Sequence, residues 1–183
     1  MSPISDRNDI SKGLTIIELI VTISILGILF SIAIPAFSSW LPEYRLKSAV
    51  RDLYSTMQLT KVMSIKYNDK YRIVFDTNGE GYRIERPDGT IERNINFTNY
   101  DKGGGIGFGG GNATKNATTS GGPVPDDGVS YQYNKVSFTP RGLGSGMGYA
   151  YLENRKGTAY AVGSWISGII VLKKWNEDTG EWE

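Results

Sequence analysis

The sequence predicts an α+β protein: a long N-terminal helix, membrane-spanning in its first half, packed on an antiparallel β-sheet head. Three observations predict it. Residues 14–37 form an apolar run in which Glu18 is the only charged side chain. Beyond the run, apolar residues recur at three- and four-residue spacing, the mark of an amphipathic helix. From Tyr71 the period switches to two, the mark of half-buried strands.

Composition narrows the chemistry before any motif is read. The chain has 183 residues, which suits one modest domain plus an anchor. Lys and Arg number 20 against 19 Asp and Glu, so no net field points to nucleic acid or an acidic surface. Histidine and cysteine are both absent. That excludes disulfides, thiolate nucleophiles, His-based triads and Cys/His zinc sites. No spacing proposes a catalytic residue, a cofactor or a metal site.

Residues 1–13 are short and polar, with Asp6, Arg7, Asp9 and Lys12. As a helix, residues 14–37 would extend about 36 Å, enough for a bilayer core of about 30 Å. On length alone the run reads as an uncleaved anchor. Ser31-Ile32-Ala33 also offers a small-residue site of the secretory kind. A charged side chain inside a span costs about 2.5–3.5 kcal/mol on insertion scales, which makes Glu18 a functional candidate. The bland alternative is a Glu18 that snorkels to nearby headgroups. Basic residues flank the run on both sides, Arg7 and Lys12 before it and Arg45, Lys47 and Arg51 after it. Charge therefore leaves the orientation open.

Gly13 at the polar-to-apolar boundary, Glu18 just inside it, Gly27 and Pro35 together resemble the class III signal of type IV prepilins and pseudopilins. The resemblance implies a leader, residues 1–13, removed between Gly13 and Leu14 by a prepilin peptidase at the cytoplasmic face. It implies methylation of the new amino terminus at Leu14, where most members carry phenylalanine. Glycine lets a protease approach the backbone closely. Glu18 needs a partner once buried in a polymer, and the freed amino group of a neighbouring Leu14 would supply it. Pro35 lacks an amide proton and crowds the Ser31 carbonyl, so it kinks or locally melts the helix, and in the family it marks where the stem loosens on assembly. Gly27, Ser31 and Ala33 suit close helix packing in the span.

Residues 38–67 read as the amphipathic second half of the same helix, with Leu46, Ala49, Val50, Leu53 and Met57 on one stripe. The helix is expected over residues 14–67, bent near Pro35 to Pro42. Arg45-Leu46-Lys47-Ser48-Ala49, Leu53, Gln58-Leu59 and Ser64-Ile65 resemble the GspH/FimT group of minor pseudopilins and minor type IV pilins.

Residues 68–183 read as the β-rich head. Tyr71 to Phe75 and Tyr82 to Glu85 alternate around a turn of Asp76, Asn78 and Gly79, a hairpin. Pro87 occupies the late position a calcium loop would need for glutamate. Arg86-Pro87-Asp88-Gly89-Thr90 is a second turn, and residues 91–97 a further strand. Residues 99–125 are dominated by Gly, Asn, Thr and Ser and read as a long flexible surface loop. Their G-x-G-x-x-G string lacks the strand and helix of a dinucleotide site. Strands are expected at residues 129–133, 136–139, 149–153, 159–165 and 169–175.

Val136-Ser137-Phe138-Thr139-Pro140-Arg141-Gly142 and Ser167-Gly168-Ile169-Ile170-Val171 resemble the turn after a strand and the closing hairpin of the GspH/FimT group. Arg141 and Gly142 are thus candidates for a contact in the head, a salt bridge or carbonyl bond of Arg141 fixing the turn. DNA-uptake members carry arginines just after the closing glycine, whereas here Ile169, Ile170 and Val171 follow Gly168. Lys173 and Lys174 remain as a thin DNA contact, opposed by Glu177, Asp178, Glu181 and Glu183.

The resemblance implies a pilin-like, non-enzymatic structural subunit without cofactor. It would stand in the bacterial inner membrane as a single-pass protein, head in the periplasm, until lifted into a type II secretion pseudopilus or a type IV pilus. Its partners would be other pilin or pseudopilin subunits, the prepilin peptidase, the inner-membrane assembly platform and, before assembly, membrane lipid. The alternatives are a DNA-binding minor pilin for natural transformation and a simple membrane-tethered binding protein.

Overall fold

A computed structural model of the chain describes residues 14–79, 81–118 and 120–183. It shows the expected α+β class: one long N-terminal helix and two antiparallel sheets. The helix, α1, runs Ile16–Lys66 without interruption, through both Pro35 and Pro42, so no local melting is seen at Pro35. The chain divides into two compact units, Met1–Ser39 and Trp40–Glu183, and α1 contributes to each.

In the second unit, Leu46, Ala49, Val50, Leu53 and Met57 are wholly buried, as their spacing predicts. The stripe continues as Thr56, Thr60 and Ser64, small enough to let backbone approach the helix. The Thr60 hydroxyl donates to Thr56 O at 2.7 Å, and the Ser64 hydroxyl donates to Thr139 O at 2.9 Å. The helix ends where Asn68 adopts φ +52°, with Asn68 N–H donating to Ile65 O and Asp69 N–H to Ser64 O. This pair of bonds is the Schellman arrangement, with asparagine standing where glycine is commonest.

The strands are β1 Tyr71–Asp76, β2 Gly81–Glu85, β3 Ile91–Asn96, β4 Ile106–Phe108, β5 Lys135–Phe138, β6 Gly148–Asn154, β7 Ala159–Ser164, β8 Ile170–Asn176 and β9 Glu181–Trp182. They form one sheet in the order β3-β2-β1-β5 and another in the order β4-β6-β7-β8-β9. The core joins the helix stripe to Ile73, Phe75, Val136 and Phe138 of the first sheet. It also takes Ala150, Leu152, Tyr160, Val162 and Ile170 from the second. Asp52 of α1 ties the helix to Tyr82 of the first sheet and to Tyr100 just beyond β3 by accepting from both hydroxyls. Burial, and secondarily the Asp52 charge, push the Tyr82 phenol well above its ordinary pKa.

Two expectations need correction. Residues 99–125 are not a loose loop. Ile106–Phe108 forms β4 and pairs with β6, Ile106 facing Asn154. The segment that follows lies on the outer face of the second sheet, where Ala117 joins Tyr149, Tyr151, Trp175 and Trp182 in a second apolar cluster. Its anchors are Ala117 N–H to the Tyr151 hydroxyl at 2.8 Å and the Trp182 indole N–H to Lys115 O at 2.7 Å. Glycine is needed for this close approach: Gly111 has φ +53°, and a Cβ there would lie 2.2 Å from Gly157 O. Nor do residues 129–133 form a strand. Val129 makes a single bridge to Ala150, and Tyr133 and Asn134 then turn the chain with φ +56° and +51°. The turn stacks the Tyr131 ring on Phe75 at 5.6 Å and sets its hydroxyl 2.9 Å from Ser164 Oγ.

The β1–β2 hairpin carries its own electrostatic lock. Glu85 accepts from Arg72 Nε and Arg83 Nε, each at 2.8 Å. Burial alone would raise the Glu85 pKa, but the bonds and charges of Arg83 and then Arg72 outweigh it and hold it below the ordinary glutamate value. With a depressed folded pKa, the stability from this carboxylate is present above the unfolded glutamate range and is lost as pH falls through the folded value. Glu85→Gln is therefore expected to lower the melting temperature at neutral pH and to flatten its decline in acid, measured by circular dichroism from neutral pH to pH about 3.

Candidate functional site

The first helical residues begin with a polar device inside an apolar sequence. Glu18 N–H donates to Thr15 Oγ1 at 3.2 Å, so Thr15 caps the helix that starts at Ile16. Thr15-Ile16-Ile17-Glu18 is the capping-box spacing, and a carboxylate in the first turn also suits the helix dipole. Gly13, the other member of the expected cleavage pair, lies outside the described residues, as do all of residues 1–13, the expected leader. Leu14 is exposed and precedes the helix.

Ile16–Pro35 is a 20-residue span of mean hydropathy 2.5, none of it buried within the protein. At about 1.5 Å per residue it extends about 30 Å, the thickness of a bilayer core. Its hydroxyls are satisfied by the helix itself. Thr22 donates to Glu18 O, Ser24 to Ile20 O at 2.7 Å, and Ser31 to Ile28 O at 2.7 Å. Polar side chains closed on their own backbone carry little penalty in hydrocarbon. A Cβ built on Gly27 meets nothing within 4 Å, so this face is open to close approach by another helix. At Pro35 the carbonyl accepts from the Ser38 hydroxyl at 3.0 Å.

Trp40 and Tyr44 form an aromatic pair just beyond the apolar run. Their rings meet one helical turn apart, tilted by 31° with centroids 4.9 Å apart, and each is 54% exposed. Aromatic side chains with polar tips concentrate at the membrane–water boundary, and these follow shortly after the apolar run. Their i, i+4 spacing was readable beside the end of that run.

In the head, the two resembling turns meet the same stretch of helix. Gly142 N–H donates to Thr139 O at 2.8 Å and closes the turn after β5. Gly168 N–H donates to Trp165 O at 2.8 Å and closes the β7–β8 turn. Lys61 of α1 reaches across and donates from Nζ to Gly168 O at 2.8 Å. Arg141 is exposed and makes no hydrogen bond or ion pair among the described residues. The turn is thus held by Thr139 and the conformation of Gly142, with no salt bridge or carbonyl bond from Arg141.

Lys173 and Lys174 do not cooperate. As neighbours on β8 they point to opposite faces of the second sheet. Lys174 lies over the Tyr160 ring and donates to Glu43 Oε1 of α1 at 2.9 Å. The hydrogen bond to Glu43 holds its pKa above the usual lysine value. Lys173 faces outward beside the glycine-rich segment. One occupied and one solitary cation on opposite faces make no track for a phosphate backbone, which is bound through several cations at once.

Among the described residues, no three His, Cys, Asp or Glu side chains converge to hold a metal ion. No family model matches the chain. No curated protein matches it either. Among solved structures, a crystal structure of the type IV minor pilin FimU from Pseudomonas aeruginosa is similar at 15% identity, over 71% of this chain and 89% of that one, with a TM-score of 0.44.

Proposed function

We propose that this chain is a structural minor pilin or pseudopilin, without catalytic activity or cofactor. A prepilin peptidase removes residues 1–13 between Gly13 and Leu14, and the amino group of Leu14 is methylated. The apolar helix holds the subunit in the bacterial inner membrane with the head in the periplasm. The assembly platform then lifts it into a type II pseudopilus or a type IV pilus, where Glu18 meets the amino terminus of another subunit. One observation carries the reading: a fully exposed 20-residue apolar span, with Glu18 in its first turn, on a helix whose later stripe is core to a folded head. An unpartnered span of that length requires lipid or other helices as its surroundings. The prepilin-like residues Gly13, Leu14, Glu18 and Pro35 favour a processed, assembling subunit over a plain tether.

Amino-terminal mass spectrometry of the protein from its native membrane tests this. The expected mature chain starts at Leu14 and carries one added methyl group. Substituting Gly13→Val is expected to abolish the cut and leave a single species with residues 1–13 attached. A wild-type protein that keeps those residues in filaments refutes the reading.

A further inference from the structure

On the outer face of the second sheet, β7 presents only small residues, Ala159, Ala161 and Gly163, between β6 and β8. The register sets Gly163 between Tyr149 and Val171, and Ala161 between Tyr151 and Lys173. Large side chains on the flanking strands and small ones between them make a trough floored by β7. Tyr149 leans into it, for a Cβ on Gly163 would lie 2.3 Å from Tyr149 Cδ1. Ala117, anchored on the Tyr151 hydroxyl, fills part of the trough and leaves the remainder open.

Two cavities remain there. One, of about 210 Å³, is lined by Thr118, Met147, Tyr149, Trp165 and Lys173. The other, of about 220 Å³, shares Ala117, Thr118 and Lys173 with the first and adds Lys115, Glu181 and Trp182. Lys115 and Glu181 pair and neutralise one another. Lys173 has no hydrogen-bond or ion-pair partner among the described residues, so its charge is the uncompensated one. Trp165 is 44% exposed and offers a ring to the first cavity. The Thr118 hydroxyl donates to Asn116 Oδ1 and lies 2.9 Å from Ser120 Oγ, which leaves it one acceptor lone pair, and Thr118 lines both cavities.

We propose that this trough binds an acidic saccharide, a chain of small hydroxylated rings bearing carboxylates. Each cavity is smaller than the roughly 300 Å³ at which drug-sized pockets begin, and the two are neighbours that share Ala117, Thr118 and Lys173, which suits successive small rings. Trp165 supplies a flat face for the C–H side of a ring, Thr118 a partner for its hydroxyls, and Lys173 a charge-assisted bond for its carboxylate. A nucleic acid would need more cations than this face holds. An apolar peptide would leave the Lys173 ammonium and the hydroxyl without partners. The inference concerns the head alone and stands apart from leader cleavage or assembly.

The test is calorimetric titration of the full-length chain in detergent micelles with a hexamer of galacturonic acid, against maltohexaose and hexaglutamate. Saturable binding of the galacturonate is expected, weakening as salt rises. Lys173→Ala and Trp165→Ala are each expected to weaken it about tenfold or more, while Trp165→Phe and Lys174→Ala leave most of it intact. Near-ultraviolet circular dichroism checks the fold of each variant. No saturable binding, equal binding by Lys173→Ala, equal binding of maltohexaose, or preference for hexaglutamate would each overturn the proposal.

Discussion

Glu18→Ala subunits are expected to reach the membrane in normal amount and to fall at least about 100-fold in sheared filaments. Under the proposed function, Glu18 leaves lipid only to meet the amino group of a neighbouring Leu14 in a filament core. Removing one partner of a buried ion pair costs about 3–5 kcal/mol, because the other charge stays buried and unpaired. At about 1.4 kcal/mol per tenfold, that exceeds two orders of magnitude in incorporation. The place of Glu18 three residues after the capping Thr15 raises a rival explanation, in which its side chain serves only as the polar partner of a capping box at the start of its own helix. Glu18→Gln separates the two. An amide preserves the capping-box spacing and the polar first turn but lacks the charge. Incorporation of Glu18→Gln is expected to fall nearly as far as that of Glu18→Ala. Quantitative immunoblotting of membranes and filaments reads the result, with mass spectrometry confirming that each variant begins at Leu14. A Glu18→Gln subunit that assembles like wild type would leave Glu18 with the capping role alone.

The sequence foretold the elements with strong periodicity. The stripe from Leu46 to Met57, the β1–β2 hairpin, and β6, β7 and β8 all lie within a residue or two of where their patterns put them. β4 could not be read in this way. Ile106-Gly107-Phe108 is three residues within glycine, and it is a strand because β6 offers an unpaired edge and the core accepts Ile106. Both causes are non-local. β9 is only two residues long and depends on Trp182 packing on Trp175. The glycine-rich segment misled because composition reports backbone freedom, whereas its order comes from Tyr151, Gly157 and Trp182 elsewhere in the chain. Other features were legible but passed over. Adjacent lysines on a strand must face opposite ways, so Lys173 and Lys174 were separable from the parity of β8 alone. Thr15, three residues before Glu18, announced the cap.

Gly168→Ala is expected to destabilise the head more than any other single-methyl addition at a glycine of its turns. Gly168 has φ +77°, and a Cβ built on it would lie 1.9 Å from Gly142 O, with Lys61 Cε at 3.4 Å. The contact at 1.9 Å is backbone, so no rotamer change relieves it. An L-residue in the left-handed region costs about 1–2 kcal/mol, and forcing a methyl into packed surroundings typically adds about 1–3 kcal/mol. A total near 3 kcal/mol would lower the melting temperature by about 6–12 °C for a chain of this size. The strain also has a direction. Moving Gly142 O away opens the turn closed by the Gly142–Thr139 bond, and moving Gly168 pulls its carbonyl from Lys61 Nζ. Gly146→Ala is the control, since a Cβ there meets nothing within 4 Å and its φ is not positive. Thermal melts of the three proteins in the same detergent are expected to place Gly146→Ala within about 2 °C of wild type, a change of roughly 0.5 kcal/mol. A Gly168→Ala protein that melts with them would mean that the two turns can separate without cost. The junction of helix, β5 turn and β7–β8 turn would then not be what holds the end of the head together.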